Sequence, residues 1–431
     1  MVEGAVRVKT YCSAGPSTNI VMYRIADALA GDQLEDNEKG EIGEKGMGTM
    51  CVHAGEVIDP SSGTIVTPIY QNATFLYPYA IDGKGNYTDK EAPYFYTRLG
   101  NPTVRSLENR VAALEHAEDA VAFSSGMAAI STAVLSVLGE KGHLLSVRDI
   151  YGGTHSLFAS LLPSLGHNVT FFDRSRTKFL EELLKTNTRA VYVETPTNPT
   201  LDIYDVSEIF EFAHAHDLVT IIDNTFPTPI NMQPSRLGAD VIIHSATKYL
   251  SGHSDVIAGI VAGRRGYVGR IREMMTILGG SMEPFTAFLT ERGIKTLELR
   301  VKKSNANATA LAEFLNDHRR ISRVLYPGLE GHEGHDVAER LMSGYGGVLS
   351  FELRGRREEA RNVLRKMKIA KIAASLGGVE SLVTMPIDTS HRQLKEAELK
   401  ERGISETLIR MSVGIEDEED LVDDVAQALE L

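Results

Sequence analysis

The stretch LVTIIDNTFPTPINMQPSRLGADVIIHSATKYL, residues 218–250, places two short apolar runs in series, and each breaks off at a polar cluster. LVTIID (218–223) closes on Asp223 and leads into Asn224, Thr225 and Phe226, while DVIIHS (240–245) leads into Thr247 and Lys248. Runs this short and this rich in Ile and Val read as strands of a sheet buried on both faces. Working outward, the same unit recurs: strands are expected at AVAFSS (120–125), HLLSV (143–147), VTFFD (169–173) and AVYVET (190–195), with helices at 106–116, from Gly126 onward, and at 206–216. Short strands alternating with amphipathic helices predict an α/β fold on a large, mostly parallel sheet. Ligands of such sheets collect beyond the carboxyl ends of the strands, so the polar residues just past them are where chemistry is sought.

After about residue 295 the rhythm changes. A long helix (297–316), strands within VLYPG and GGVLSFELRG (346–355), the helix REEARNVLRKM (357–367) and a final acidic helix predict a smaller C-terminal α+β domain. The expected division is an atypical acidic arm (1–50), an extended Pro-, Tyr- and Gly-rich segment that contacts a neighbouring subunit (51–100), a large sheet domain (101–295) and the C-terminal domain (296–431). In EDEEDLVDD (416–424) the acids sit where a helix N-terminus favours negative charge.

Composition excludes several classes. The 431 residues carry 45 Lys+Arg against 58 Asp+Glu, a net charge of −13, which opposes nucleic-acid binding. Cys12 and Cys51 are the only cysteines, there is no CxxC, and a reducing, cytoplasmic setting is expected. MVEGAVRVKTYCSAG lacks a long apolar core, so no secretory signal is read. Ala120–Leu138 is uncharged over 19 residues, yet Ser124, Ser125 and Gly126 interrupt it where a strand would hand over to a helix, and no membrane span is expected.

The residues after the strands complement one another. Ser125-Gly126-Met127 opens a helix directly after a strand, presenting backbone N–H groups to an anion. Asp223 is a carboxylate that needs a cation or strong donor. Ser245 and Thr247 flank the amine of Lys248, a set suited to a phosphate ester beside an aldehyde, and Tyr151 supplies an aromatic face. A phosphate cradle, an acid that keeps a pyridine nitrogen protonated and an amine that condenses with an aldehyde are the parts pyridoxal phosphate requires.

From about Val52 to the C-terminus the chain resembles the Cys/Met-metabolism family of pyridoxal-phosphate enzymes. YTRLGNPTVRSLE (96–108), SSGMAA (124–129), YGGTHSLF (151–158), ETPTNPT (194–200), DNTF (223–226), HSATKYLSGHSD (244–255), SLGGVESL (375–382) and RMSVGIED (410–417) fall in family order. The resemblance implies fold type I, a homotetramer built from dimers with shared active sites, and a small sulfur amino acid as substrate. It implies that Lys248 binds the cofactor aldehyde and shuttles protons, that Asp223 pairs with the pyridine nitrogen, and that Tyr151 stacks on the ring and protonates the departing thiolate. Gly126, Met127, Ser245 and Thr247 would hold the phosphate, Tyr96 and Arg98 would reach the neighbouring subunit's cofactor, and Arg410 would clamp the substrate α-carboxylate with Asn198 and Ser375. No metal is implied: His332-Glu333-Gly334-His335 has a metal-like spacing but matches a family segment that carries histidines without one. A scaffold that only keeps the fold would not require Lys248, Asp223 and Arg410 together.

Three positions bear on the substrate. Where cystathionine γ-lyases commonly carry Glu, Arg and Glu, this chain has Phe95, Ser156 and Ala374. All three changes remove charge, which favours the apolar thioether of methionine over the charged far end of cystathionine. Gly153 and the pair Gly377-Gly378 point the other way, since methionine γ-lyases often have Cys and Gly-Asp there. The expected reaction is γ-elimination of L-methionine to methanethiol, 2-oxobutanoate and ammonia, with cystathionine γ-lyase, cystathionine γ-synthase or O-acetylhomoserine sulfhydrylase as alternatives.

Overall fold

The computed structural model describes residues 45–430 apart from 58, 60–61, 77–78, 82–86, 90–93, 390–391 and 393–395. Most of the expected acidic arm therefore lies outside the described residues.

Seven strands form the large sheet: β1 (Asp119–Phe123), β2 (His143–Val147), β3 (Asn168–Phe172), β4 (Thr188–Glu194), β5 (Val219–Asp223), β6 (Val241–His244) and β7 (Gly259–Gly263). Their order is β1-β7-β6-β5-β4-β2-β3. Only β7 runs antiparallel, to both β1 and β6. The mostly parallel reading holds, and the exception, GIVAG, is a strand that the sequence reading passed over. Alternate residues of β1 enter different cores: Val121 and Phe123 join one apolar cluster, Ala120 and Ala122 the other. Both faces are thus covered, which is why the strands are apolar at nearly every position.

The uncharged stretch from Ala120 divides as its hydroxyls suggest. β1 stops at Phe123, and helix α1 (Gly126–Leu138) starts after Ser125, whose side chain accepts the Ala128 N–H at 3.1 Å. At 13 residues that helix spans roughly 20 Å, short of a ~30 Å hydrocarbon core. No helix among the described residues is long and apolar enough to cross a membrane.

The second sheet has five strands, β8 (Ile321–Leu325), β9 (Val348–Leu353), β10 (Lys371–Ile372), β11 (Leu382–Thr384) and β12 (Leu408–Ser412), in the order β8-β9-β12-β11-β10. Helix α2 (Leu297–Asp317) leads into it, and α3 (Arg357–Lys366) and α4 (Glu418–Leu429) pack beside it. Three acids, Glu418, Glu419 and Asp420, occupy the first turn of α4. Asp424, further along, accepts the backbone N–H groups of Lys368, Ile369 and Ala370. This acidic cluster therefore serves helix and loop geometry. Strand β12 carries Arg410 to the large sheet, and the site forms where the two sheets meet.

Candidate active site

A cavity of about 890 Å³ lies over the carboxyl ends of β4, β5 and β6 and is closed on its far side by Ala374, Ser375, Leu376, Thr384, Arg402 and Arg410. Asp223 ends β5 and is buried, because the strand is central and β4 and β6 flank it. Its Oδ1 accepts the Thr225 N–H at 3.0 Å and the Thr225 hydroxyl at 2.5 Å. Its Oδ2 meets the Tyr192 hydroxyl only at 3.5 Å. In strict register beside it, at the end of β4, stands Glu194, which accepts the Tyr151 N–H at 2.8 Å. Burial raises both carboxyls above their ordinary range, Glu194 well above, and each charge repels the other. The two bonds from Thr225 favour Asp223 as the ionised member. A carboxylate in that setting, with one oxygen nearly free, fits a protonated ring nitrogen.

Lys248 follows β6 in a turn and sends Nζ to within 2.8 Å of the Ser375 hydroxyl. Burial pulls its pKa down to about 8, and the positive charge of Arg410 adds to that. Ser375 holds a left-handed backbone at φ +94°, an uncommon state for a residue with a side chain, and it ties the amine to the clamp. Its carbonyl accepts from Arg410 Nη2 at 2.8 Å, while Nη1 donates to Asn198 Oδ1 at 3.1 Å. The lowered pKa makes a test: cofactor uptake by the apoprotein, followed by visible absorbance, should accelerate as pH rises through about 8 and then level off. An unperturbed lysine, ionising near ~10.4, would leave the rate still climbing there.

The opposite pole of the cavity suits a phosphate. No described group accepts the N–H groups of Gly126 and Met127 at the start of α1, and both residues line the cavity with Ser125, Ser245 and Thr247. A Cβ on Gly126 would come within 3.0 Å of Ser245 Cβ and Oγ, so a side chain here would crowd this corner unless Ser245 moved. Tyr151 stands half-exposed at the cavity wall, its main chain fixed by Glu194. Phosphate cradle, ring acid and amine thus fit pyridoxal phosphate along one wall.

Ser156 and Ala374 also line the cavity, whereas Phe95, Tyr96 and Arg98 do not. Arg98 borders a separate small cavity of about 50 Å³ beside Arg105, Glu108 and Arg272, and Phe95 and Tyr96 are exposed. The sequence reading missed Glu194, Arg392 and Arg402, all of which line the site. For Glu194 a signal was available: it is the acid that opens ETPTNPT at a strand end. The two arginines qualify the charge argument, because they return positive charge to the cavity that Ser156 deprives of it.

Fold and site together define a pyridoxal-phosphate-dependent enzyme. A family model described as Cys/Met metabolism PLP-dependent enzyme matches residues 48–430, and the chain belongs to that family. The L-methionine gamma-lyase of Fusobacterium nucleatum subsp. polymorphum is 42% identical over 393 residues, 90% of this chain and 99% of that protein. The cystathionine gamma-lyase of Bacillus subtilis (strain 168) is 42% identical over 383 residues, 89% of this chain and 98% of that protein. Among solved structures, metB from Corynebacterium glutamicum matches with a TM-score of 0.84 at 39% identity, covering 90% of this chain and 99% of that one. The chain is a carbon–sulfur lyase that uses pyridoxal phosphate.

Proposed function

We propose that the enzyme catalyses γ-elimination of L-methionine to methanethiol, 2-oxobutanoate and ammonia. The observation that carries this reading is the uncharged wall at Ser156 and Ala374 within the cavity, where a thioether can lie without stranding a charge. Arg410 takes the α-carboxylate with Asn198 beside it, and Ser375 orients Lys248 Nζ. When bound, pyridoxal phosphate supplies the electron sink that makes the substrate's Cα and Cβ protons acidic. Lys248 Nζ removes those protons in turn, and the Tyr151 hydroxyl protonates the thiolate as the Cγ–S bond breaks.

Side-by-side turnover of methionine, cystathionine and O-acetylhomoserine, read as 2-oxobutanoate and thiol, tests the assignment. Fast cleavage of cystathionine with no methanethiol from methionine would overturn it. A purified protein that stays colourless with added cofactor would overturn the enzymatic reading altogether. Cystathionine as principal substrate is the second reading, and Gly377-Gly378 favours it: a Cβ at Gly378 would meet Glu380 Oε2 at 2.5 Å, so an acid there crowds another acid. Restoring charge with Ala374→Glu should move the ratio of kcat/KM values toward cystathionine by about tenfold.

Sharing of sites between subunits, in a homotetramer built from dimers, fits the exposure of Phe95 and Tyr96 away from their own chain's cavity. A cytoplasmic setting fits the low cysteine count.

A further inference from the structure

Three polar side chains stand behind the wall of the cavity, and the reaction uses none of them. Glu115 caps the C-terminal end of the helix Pro102–Leu114, Asn224 follows Asp223 at the end of β5, and His244 ends β6. All three are buried and none borders the cavity, yet their neighbours Asp223, Thr225 and Ser245 do. A single oxygen joins them: Glu115 Oε1 accepts Asn224 Nδ2 at 2.8 Å and His244 Nε2 at 2.6 Å. Glu115 is itself held, since its backbone carbonyl accepts the Ser235 hydroxyl. On the cavity side a second tie crosses the same gap, because the Thr225 hydroxyl donates to Asp223 Oδ1 at 2.5 Å and accepts the Ser245 N–H at 2.8 Å. The ends of β5 and β6 are thus pinned from both sides. Stability alone does not account for the inner tie. Glu115 Oε2, His244 Nδ1 and Asn224 Oδ1 lack a hydrogen-bond partner among the described residues, and a buried polar cluster left partly open costs more than an apolar trio would. What the cluster provides is a fixed spacing between two strand ends, one carrying the acid for the ring nitrogen and the other the residues for the phosphate.

We propose that Glu115 is a positioning residue for the cofactor: by tying Asn224 to His244 it sets the distance between Asp223 and the segment 245–248, so that the two poles of the site act together on one ligand. A rigid ligand that bridges two preset groups gains over its separate halves, and the gain is lost when their spacing drifts. The role needs an acceptor oxygen at position 115 and no charge there. It holds whichever thioether the enzyme cleaves.

The test titrates the full-length protein, freed of cofactor, with pyridoxal phosphate, pyridoxal and inorganic phosphate, read by absorbance for the first two and by calorimetry for the third. In Glu115→Ala and in His244→Phe the affinity for pyridoxal phosphate should fall by about tenfold or more, while the affinities for pyridoxal and for inorganic phosphate change by less than about threefold. Glu115→Gln, which keeps an oxygen able to accept both bonds, should stay within about threefold of wild type for all three probes. A merely structural role would weaken the three probes alike or leave all of them unchanged, and either result overturns the proposal. A loss in Glu115→Gln as large as that in Glu115→Ala overturns it as well, because charge and not the tie would then be what matters. Should Glu115→Ala or His244→Phe fail to fold, the other decides.

Discussion

Lys248→Ala should lower kcat/KM by about 10⁴-fold or more and abolish the visible absorbance of the bound cofactor. No other lysine borders the cavity among the described residues, so no neighbouring amine can take over either the aldehyde or the proton transfers. The loss should be in kcat and not confined to KM, because Arg410, Asn198 and the phosphate pole are left in place and the substrate can still be held. Added ammonia or methylamine offers a control: small amines that enter the vacated space should restore a fraction of the rate. A variant that keeps a tenth of the wild-type rate would mean that another group moves the protons.

The strands ending at Asp223 and Lys248 were legible because each is a short apolar run closed by polar residues, a pattern set by burial on both faces. Helix α1 was legible for a related reason: Ser125 and Gly126 stand where a buried strand must hand its backbone N–H groups to something polar. Strand β7 was not. Its sequence, GIVAG, is small and glycine-bounded, and its place between β1 and β6 is dictated by close approach: a Cβ on Gly259 would come within 2.1 Å of the Ser125 carbonyl oxygen. That is a contact between residues far apart in sequence, and no local pattern encodes it. Arg402 was missed on the same ground. Its partner His155 lies 247 positions away, and on its own chain segment it reads as one more solvated arginine. Ser156 and Ala374 do line the cavity, but a cavity assembled from both sheets can regain charge from any segment that lines it, as this one does from Arg392 and Arg402.

Arg410→Met should separate stability from function. Arg410 is buried, no described carboxylate pairs with it, and its Nε lacks any hydrogen-bond partner. Burial lowers its pKa to about 10, a direct sign that the charged form is disfavoured where it sits. A cation kept at that cost, with only Asn198 and a carbonyl for company among the described residues, is suited to an anion, and in the proposed reaction that anion is the substrate α-carboxylate. Removing it should reduce kcat/KM for every α-amino acid substrate by about 10²-fold or more, chiefly through KM. The melting temperature of the protein without substrate should be kept or raised, since an unpaired buried charge has been exchanged for an apolar side chain of similar reach. The pKa of Lys248 should move upward as well, because the charge of Arg410 helps to hold it down. The pH at which cofactor uptake levels off would then shift to higher values than in wild type. A clear fall in melting temperature with KM unchanged would instead assign Arg410 to holding the two sheets together.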